Sequence, residues 1–220
     1  TIVENGKNLA GHVLEAAIED IDFADGVFTV VGTDRTVGIM ELADKTRELG
    51  GAADMPEELS HKVSHNTAPI SFPNGCHVAE VEIDPDTGVA TIDRYTVVDD
   101  FGVVVNPLIV EGQVHGGIVQ GIGQVLHEDA IYDDNGQLVT GSYLDYQLPR
   151  ADDIAPIDFT THTVPCKTNP LGVKGCGEAG NGGSYPVIYN AIMDALDGNG
   201  GEELGIPATP HRIWQALNQR

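Results

Sequence analysis

The sequence predicts an α+β protein, because two hydrophobic periodicities share the chain and neither dominates. His77-Val78-Ala79-Glu80-Val81-Glu82-Ile83 and Val89–Val98 alternate with a period of two around the turn Asp84-Pro85-Asp86-Thr87-Gly88, the pattern of a β-hairpin. Val114, Ile118, Ile122 and Val125 instead recur at helical spacing within Leu108–Glu128. With 41% hydrophobic residues among 220, the chain can build a genuine core. These observations predict mixed sheets, a glycine-rich buried helix and a C-terminal helical segment. The division expected is a small helix-strand-helix segment with its connecting loop over residues 1–68, then a larger domain over 69–220.

In chain order, Ala10, Val13, Leu14, Ala17 and Ile18 mark a first helix. Gly26–Gly32 reads as one short strand, and Ile39-Met40-Glu41-Leu42-Ala43 opens a second helix. Gly50–Pro73 is polar and turn-rich, and reads as a long connection. After the hairpin, Asp99-Asp100-Phe101-Gly102 reads as a turn. Tyr132–Gln137 is a second turn, leading to a strand at Leu138-Val139-Thr140, and Ile157–Val164 alternates as a further strand. A helix is expected from Ser184-Tyr185-Pro186 onwards, with serine as cap and proline in the first turn, ending at Asp197-Gly198. Thr209-Pro210-His211 begins a short last helix carrying Ile213, Trp214 and Leu217.

The 11 basic and 34 acidic residues give a net charge of −23, which argues against nucleic acids and anionic membrane surfaces as partners. No apolar run is long enough for a membrane span, so a cytoplasmic protein is expected. Cys76, Cys166 and Cys176 are odd in number and far apart, which fits a reducing compartment better than a disulfide framework. His61 and His65 have a spacing open to zinc, but without a further ligand nearby they read as structural or surface histidines.

Two stretches carry the chemistry. Gly112, Gly116, Gly117, Gly121 and Gly123 lie inside the helical pattern of Leu108–Glu128, where each costs about 1 kcal/mol relative to alanine. Close approach of another backbone or of a ligand is the natural compensation. Gln113 and Gln120 share a face, and their amides either serve a heterocyclic ligand or satisfy backbone in a tightly packed helix; spacing does not separate the two. The second stretch, Gly172–Gly183, is a glycine-dense loop around one acid, Glu178, the candidate catalytic group. Gly175–Gly180 is formally a GxGxxG string. However, the turn-like Thr168-Asn169-Pro170 precedes it where a dinucleotide site needs a strand, and a carboxylate inside the cradle would repel phosphate.

Taken together, Val110-Glu111-Gly112-Gln113-Val114-His115-Gly116-Gly117, Tyr143–Arg150 and Gly172-Val173-Lys174-Gly175-Cys176-Gly177-Glu178 resemble a known family. They are similar to the C-terminal part of the molybdenum-binding large subunit of aerobic carbon monoxide dehydrogenases, within the wider xanthine dehydrogenase and aldehyde oxidase family. Gly32-Thr33-Asp34-Arg35 and Pro207-Ala208-Thr209-Pro210 extend the resemblance towards both ends.

The resemblance implies oxidative hydroxylation of a small substrate with water as the oxygen source. Glu178 would be the general base towards a metal-bound hydroxide, and Gln113 the pterin contact. Gly175 and Gly177 would let the backbone approach the cofactor, and Lys174 would balance charge there. The cofactor implied is Mo-molybdopterin in its cytosine dinucleotide form, with FAD and [2Fe-2S] on separate medium and small partner subunits. Because family large subunits are several times longer, an N-terminal portion of the same subunit is a further implied partner, and this piece alone is expected to be inactive. Phe101 replaces a cysteine common in relatives, a departure that bears on packing. The loop that selects substrate in the carbon monoxide enzymes lies upstream of Thr1, leaving carbon monoxide, aldehydes and N-heterocycles open. The competing expectation, a noncatalytic assembly module with a decayed site, is disfavoured by intact Gln113 and Glu178.

Overall fold

The computed structural model describes residues 1–48, 59, 61–64, 66, 70–197 and 204–218. The chain divides into two compact units, Thr1–Asn66 and Thr67–Arg220. His65 lies outside the described residues, and with it the His61/His65 spacing.

In the first unit, helix α1 (Ile2–Leu14) covers an antiparallel sheet of β1 (Ile21–Ala24), β2 (Val27–Val30) and β3 (Thr36–Gly38), and α2 (Ile39–Glu48) follows. Leu9, Ala10, Phe28, Val37 and Leu42 form its core. Where one strand was expected there are three. Asp25 and Gly26 take φ of 50° and 80°, so this Asp-Gly pair is a tight hairpin turn that splits the segment into paired strands.

The second unit is built on β4 (Asn74–Ile83) and β5 (Ala90–Asp100), the expected hairpin, with a bulge at Glu80/Val81. Strand β5 runs through Asp99 and Asp100, which the sequence placed in a turn. β6 (Ile157–Thr161) joins β5 in parallel. It stops short of Val164, whose N–H instead donates to Asp100 Oδ1 at 3.0 Å. The strand expected at Leu138–Thr140 does not form. Asp133 organises a turn by accepting from the Asn135 and Gln137 amides, leaving only a bridge between Tyr132 and Leu138.

Helix α3 (Pro107–Leu126) starts where the sequence predicts, with Pro107 at the first position and Asn106 Oδ1 accepting from Ile109 N–H at 3.2 Å. Its inner face, Val114, Ile118, Ile122 and Val125, meets Ile188 and Ile192 of α4 (Ala179–Ala195) in the main core. The two helices cross on glycine. A Cβ on Gly117 would lie 2.7 Å from Asn181 N, one on Gly180 2.3 Å from Val114 O, and one on Gly121 1.9 Å from Ser184 Oγ. Helix α4 begins five residues before the expected Ser184, because this packing outweighs the poor helix propensity of residues 180–183. Ser184 is therefore no cap: it is fully buried, its hydroxyl 3.4 Å from Gly117 O. Pro186 lies inside the helix, where its missing N–H leaves the Gly182 carbonyl without its usual partner.

Helix α5 (Pro210–Asn218) buries Ile213 and Ala216. It also sits on the hairpin tip, where a Cβ on Gly88 (φ +74°) would lie 2.1 Å from Pro210 O. Among the described residues, no helix is long and apolar enough to cross a membrane.

Candidate active site

The end of β5 and the glycine-rich loop are fastened to each other. Val103 N–H donates to Gly172 O at 2.9 Å, and Lys174 N–H to Phe101 O at 2.8 Å. Gly102 (φ +63°) permits this closeness, since a Cβ there would lie 2.1 Å from Gly172 O. The Asn169 amide brackets Val173, donating to its carbonyl at 2.9 Å and accepting from its N–H at 3.1 Å.

Asp100 is the hub of this fastening. Its Oδ1 accepts from Gly102 N–H at 2.8 Å and from Val164 N–H, while Oδ2 meets Lys174 Nζ at 2.5 Å. Burial opposes ionisation of Asp100, but the Lys174 ammonium and the two backbone N–H groups outweigh it and bring the carboxyl down to about 2. Lys174 is thus committed to Asp100, with both side chains 11% exposed. This corrects the expectation that it balances charge at a cofactor.

Glu178 is the N-cap residue of α4, with its carbonyl accepting from Gly182 N–H at 2.8 Å. Its side chain is exposed and makes no hydrogen bond or ion pair among the described residues. A rigid helix with a fastened lead-in therefore presents a free carboxylate, favourably placed at the positive end of the helix dipole. Gln113 is exposed on α3, and Val114, the residue after it, touches Gly180, two residues after Glu178. The helix crossing thus brings Gln113 and Glu178 to the same end of the α3–α4 pair. Gln120 is exposed as well.

The glycines of this region differ in what surrounds them among the described residues. Gly117, Gly121 and Gly180 are filled by the partner helix, whereas a Cβ on Gly112, Gly116, Gly175, Gly177 or Gly182 would meet nothing within 4 Å. Gly175 and Gly177 also lack a positive φ, so torsional need does not explain them. Gly112 adjoins Gln113 in the chain and Gly177 adjoins Glu178, and the space at their Cβ positions is open among the described residues. A backbone surface free of Cβ atoms, flanked by an amide that donates and accepts and by a free carboxylate, fits a large polar heterocyclic cofactor. It does not fit the dinucleotide alternative, because no strand leads into Gly175; the residue before Lys174 makes only a bridge to Gly102.

Fold and site together define a cofactor-binding segment of the molybdopterin type. Residues 1–155 match the family described as molybdopterin cofactor-binding domain, and the chain belongs to that family. It is 35% identical over 223 residues to the 6-hydroxypseudooxynicotine dehydrogenase complex subunit gamma of Paenarthrobacter nicotinovorans, covering 99% of this chain and 28% of that protein. Identity to the carbon monoxide dehydrogenase large chain of Hydrogenophaga pseudoflava is 32%, over 97% of this chain and 26% of the relative. The crystal structure of quinoline 2-oxidoreductase from Pseudomonas putida 86 superposes with a TM-score of 0.79 at 36% identity, covering all of this chain and 28% of that one. The chain thus spans roughly a quarter of the length of the relatives it matches.

Proposed function

We propose that the chain is the C-terminal part of the large catalytic subunit of a molybdenum hydroxylase, which oxidises a small substrate with oxygen derived from water. The observation that carries this is the free carboxylate of Glu178, held at the start of α4 beside a glycine-cleared surface and Gln113. Gln113, Gly175 and Gly177 would hold the molybdopterin, in the cytosine dinucleotide form, and its molybdenum would supply the two-electron redox chemistry. The chain's own residues supply the rest. Glu178 takes a proton at its carboxylate as the oxygen nucleophile forms. Gln113 offers a donor and an acceptor to the pterin edge, and the backbone at Gly175 and Gly177 approaches without side-chain obstruction. The Asp100–Lys174 pair holds the loop so that Glu178 keeps its direction.

Other parts complete the cofactor pocket and the electron path: the N-terminal portion of the same subunit, an iron–sulfur small subunit and an FAD medium subunit. The whole works in the cytoplasm, and the segment alone is inactive. Glu178→Gln in the full-length assembled enzyme tests the central assignment. Turnover is expected to fall by about 10²–10⁴ with molybdenum content unchanged, the usual range for losing a general base. Turnover near the wild-type rate at full molybdenum occupancy would remove Glu178 from the role.

A further inference from the structure

Behind the first turn of α4 lies a polar cluster that this mechanism leaves unused. Tyr95 Oη lies 2.7 Å from His77 Nδ1, and His77 Nε2 lies 3.4 Å from Asp99 Oδ1. All three residues are buried: the His77 and Asp99 side chains are 6% and 2% exposed, and Tyr95 is 1% exposed. Asp99 Oδ2 has no hydrogen-bond partner among the described residues. Burial, and then the charge of Asp99, push the Tyr95 phenol above its usual range, so it stays protonated and can donate to Nδ1. The His77 Nε2–H then faces Asp99.

Packing alone gives no reason to keep a buried carboxyl group with one long contact. The backbone around it has been cleared to admit it. A Cβ on Gly75 would lie 1.8 Å from Asp99 Oδ1, and a Cβ on Gly183 would lie 2.6 Å from the His77 ring. The imidazole therefore rests directly on the α4 backbone. The same residues border a cavity of about 240 Å³ whose other walls include Asn74, Ala179 and Gly182, and Ala179 is the neighbour of Glu178.

We propose that His77, held between Tyr95 and Asp99, is a positioning residue for Glu178, acting through Gly183 on the first turn of α4. This rests on Glu178 being the base. The groups facing His77 are Tyr95 and Asp99 from β5 and Asn74 at the start of β4, while α4 brings only Ala179, Gly182 and Gly183, none of which titrates.

The test uses the full-length assembled enzyme with rates expressed per molybdenum. His77→Ala and Gly183→Ala are each expected to lower kcat about tenfold, as a sub-ångström displacement of a catalytic group can do, with KM within about twofold. Molybdenum content and unfolding temperature stay near wild type. The double variant should be no slower than His77→Ala alone, because the new methyl enters the space the ring leaves. His77→Gln, which keeps a donor and an acceptor, should regain most of the rate. Wild-type kcat in His77→Ala, losses that multiply in the double variant, or losses that merely track molybdenum content would each overturn the proposal. Glu178→Gln is measured alongside: if it remains active the base assignment fails, whereas an inactive Glu178→Gln with multiplying His77 and Gly183 effects refutes this inference alone.

Discussion

Replacing Lys174 by methionine keeps the length of the side chain and removes only its charge, so it isolates the fastening between β5 and the catalytic loop. The Asp100 carboxyl is brought from 3.8 to about 2, a drop worth roughly 2 kcal/mol at 1.36 kcal/mol per unit. At 11% exposure on each side the pair is little screened, and without Lys174 the charge of Asp100 retains only two backbone N–H donors. Part of that 2 kcal/mol rests on the two N–H donors the variant keeps, so a loss of about 1 kcal/mol at pH 7 is expected, or roughly 2–4 °C in unfolding midpoint for a chain of this size. Because the folded-state pKa is depressed, this stabilisation is present above about pH 4 and vanishes as pH falls through about 2. Thermal unfolding of both proteins, followed by circular dichroism from pH 7 down to pH 2, provides the check. Midpoints within about 1 °C of each other at pH 7, or a gap that persists undiminished at pH 2, would refute the assignment of Asp100 and Lys174 as a charged latch.

Gln113→Ala in the full-length enzyme should lower cofactor retention about tenfold, the cost of one or two hydrogen bonds, read as molybdenum per subunit after dialysis. Gly180→Ala should destabilise the chain by about 1–3 kcal/mol in urea titration, since its methyl meets the Val114 carbonyl at 2.3 Å. Gly112→Ala and Gly116→Ala should do the reverse, each adding up to about 1 kcal/mol of stability, because their methyl groups meet nothing. In the assembled enzyme the same pair should reduce molybdenum content, showing that the cleared face serves the cofactor.

The hairpin, α3 and α5 were legible because each is specified by local signals: a period of two, a period near four, a proline after a capping residue. Gln113 and Glu178 stand out as members of short motifs, and the roles given to them are those proposed above. What escaped was non-local. Lys174 reaches Asp100 across 74 positions of chain, and nothing near either residue announces the other. His77, Tyr95 and Asp99 lie in strands whose alternation shows that they share a pattern, not that they touch. Asp99 and Asp100 were read as turn residues on composition, yet strand pairing carries through both. The start of α4 escaped because residues 180–183 are poor helix formers that tertiary packing recruits. Gly116 and Gly117 show the limit most sharply: adjacent in sequence, one faces α4 and the other faces open space, and only the helix's orientation tells them apart.

The seating of α5 on the tip of the β4–β5 hairpin has a consequence for synthesis. Gly88 and Pro210 meet, and Ile213 belongs to the same core as Ile92, so the first hairpin of the larger unit cannot be sealed until the last helix has been made. Contacts of such separation slow folding and lengthen the period in which apolar strands are uncovered. On the ribosome the nascent hairpin must wait for more than a hundred further residues, which makes it the segment of this unit most in need of chaperone cover.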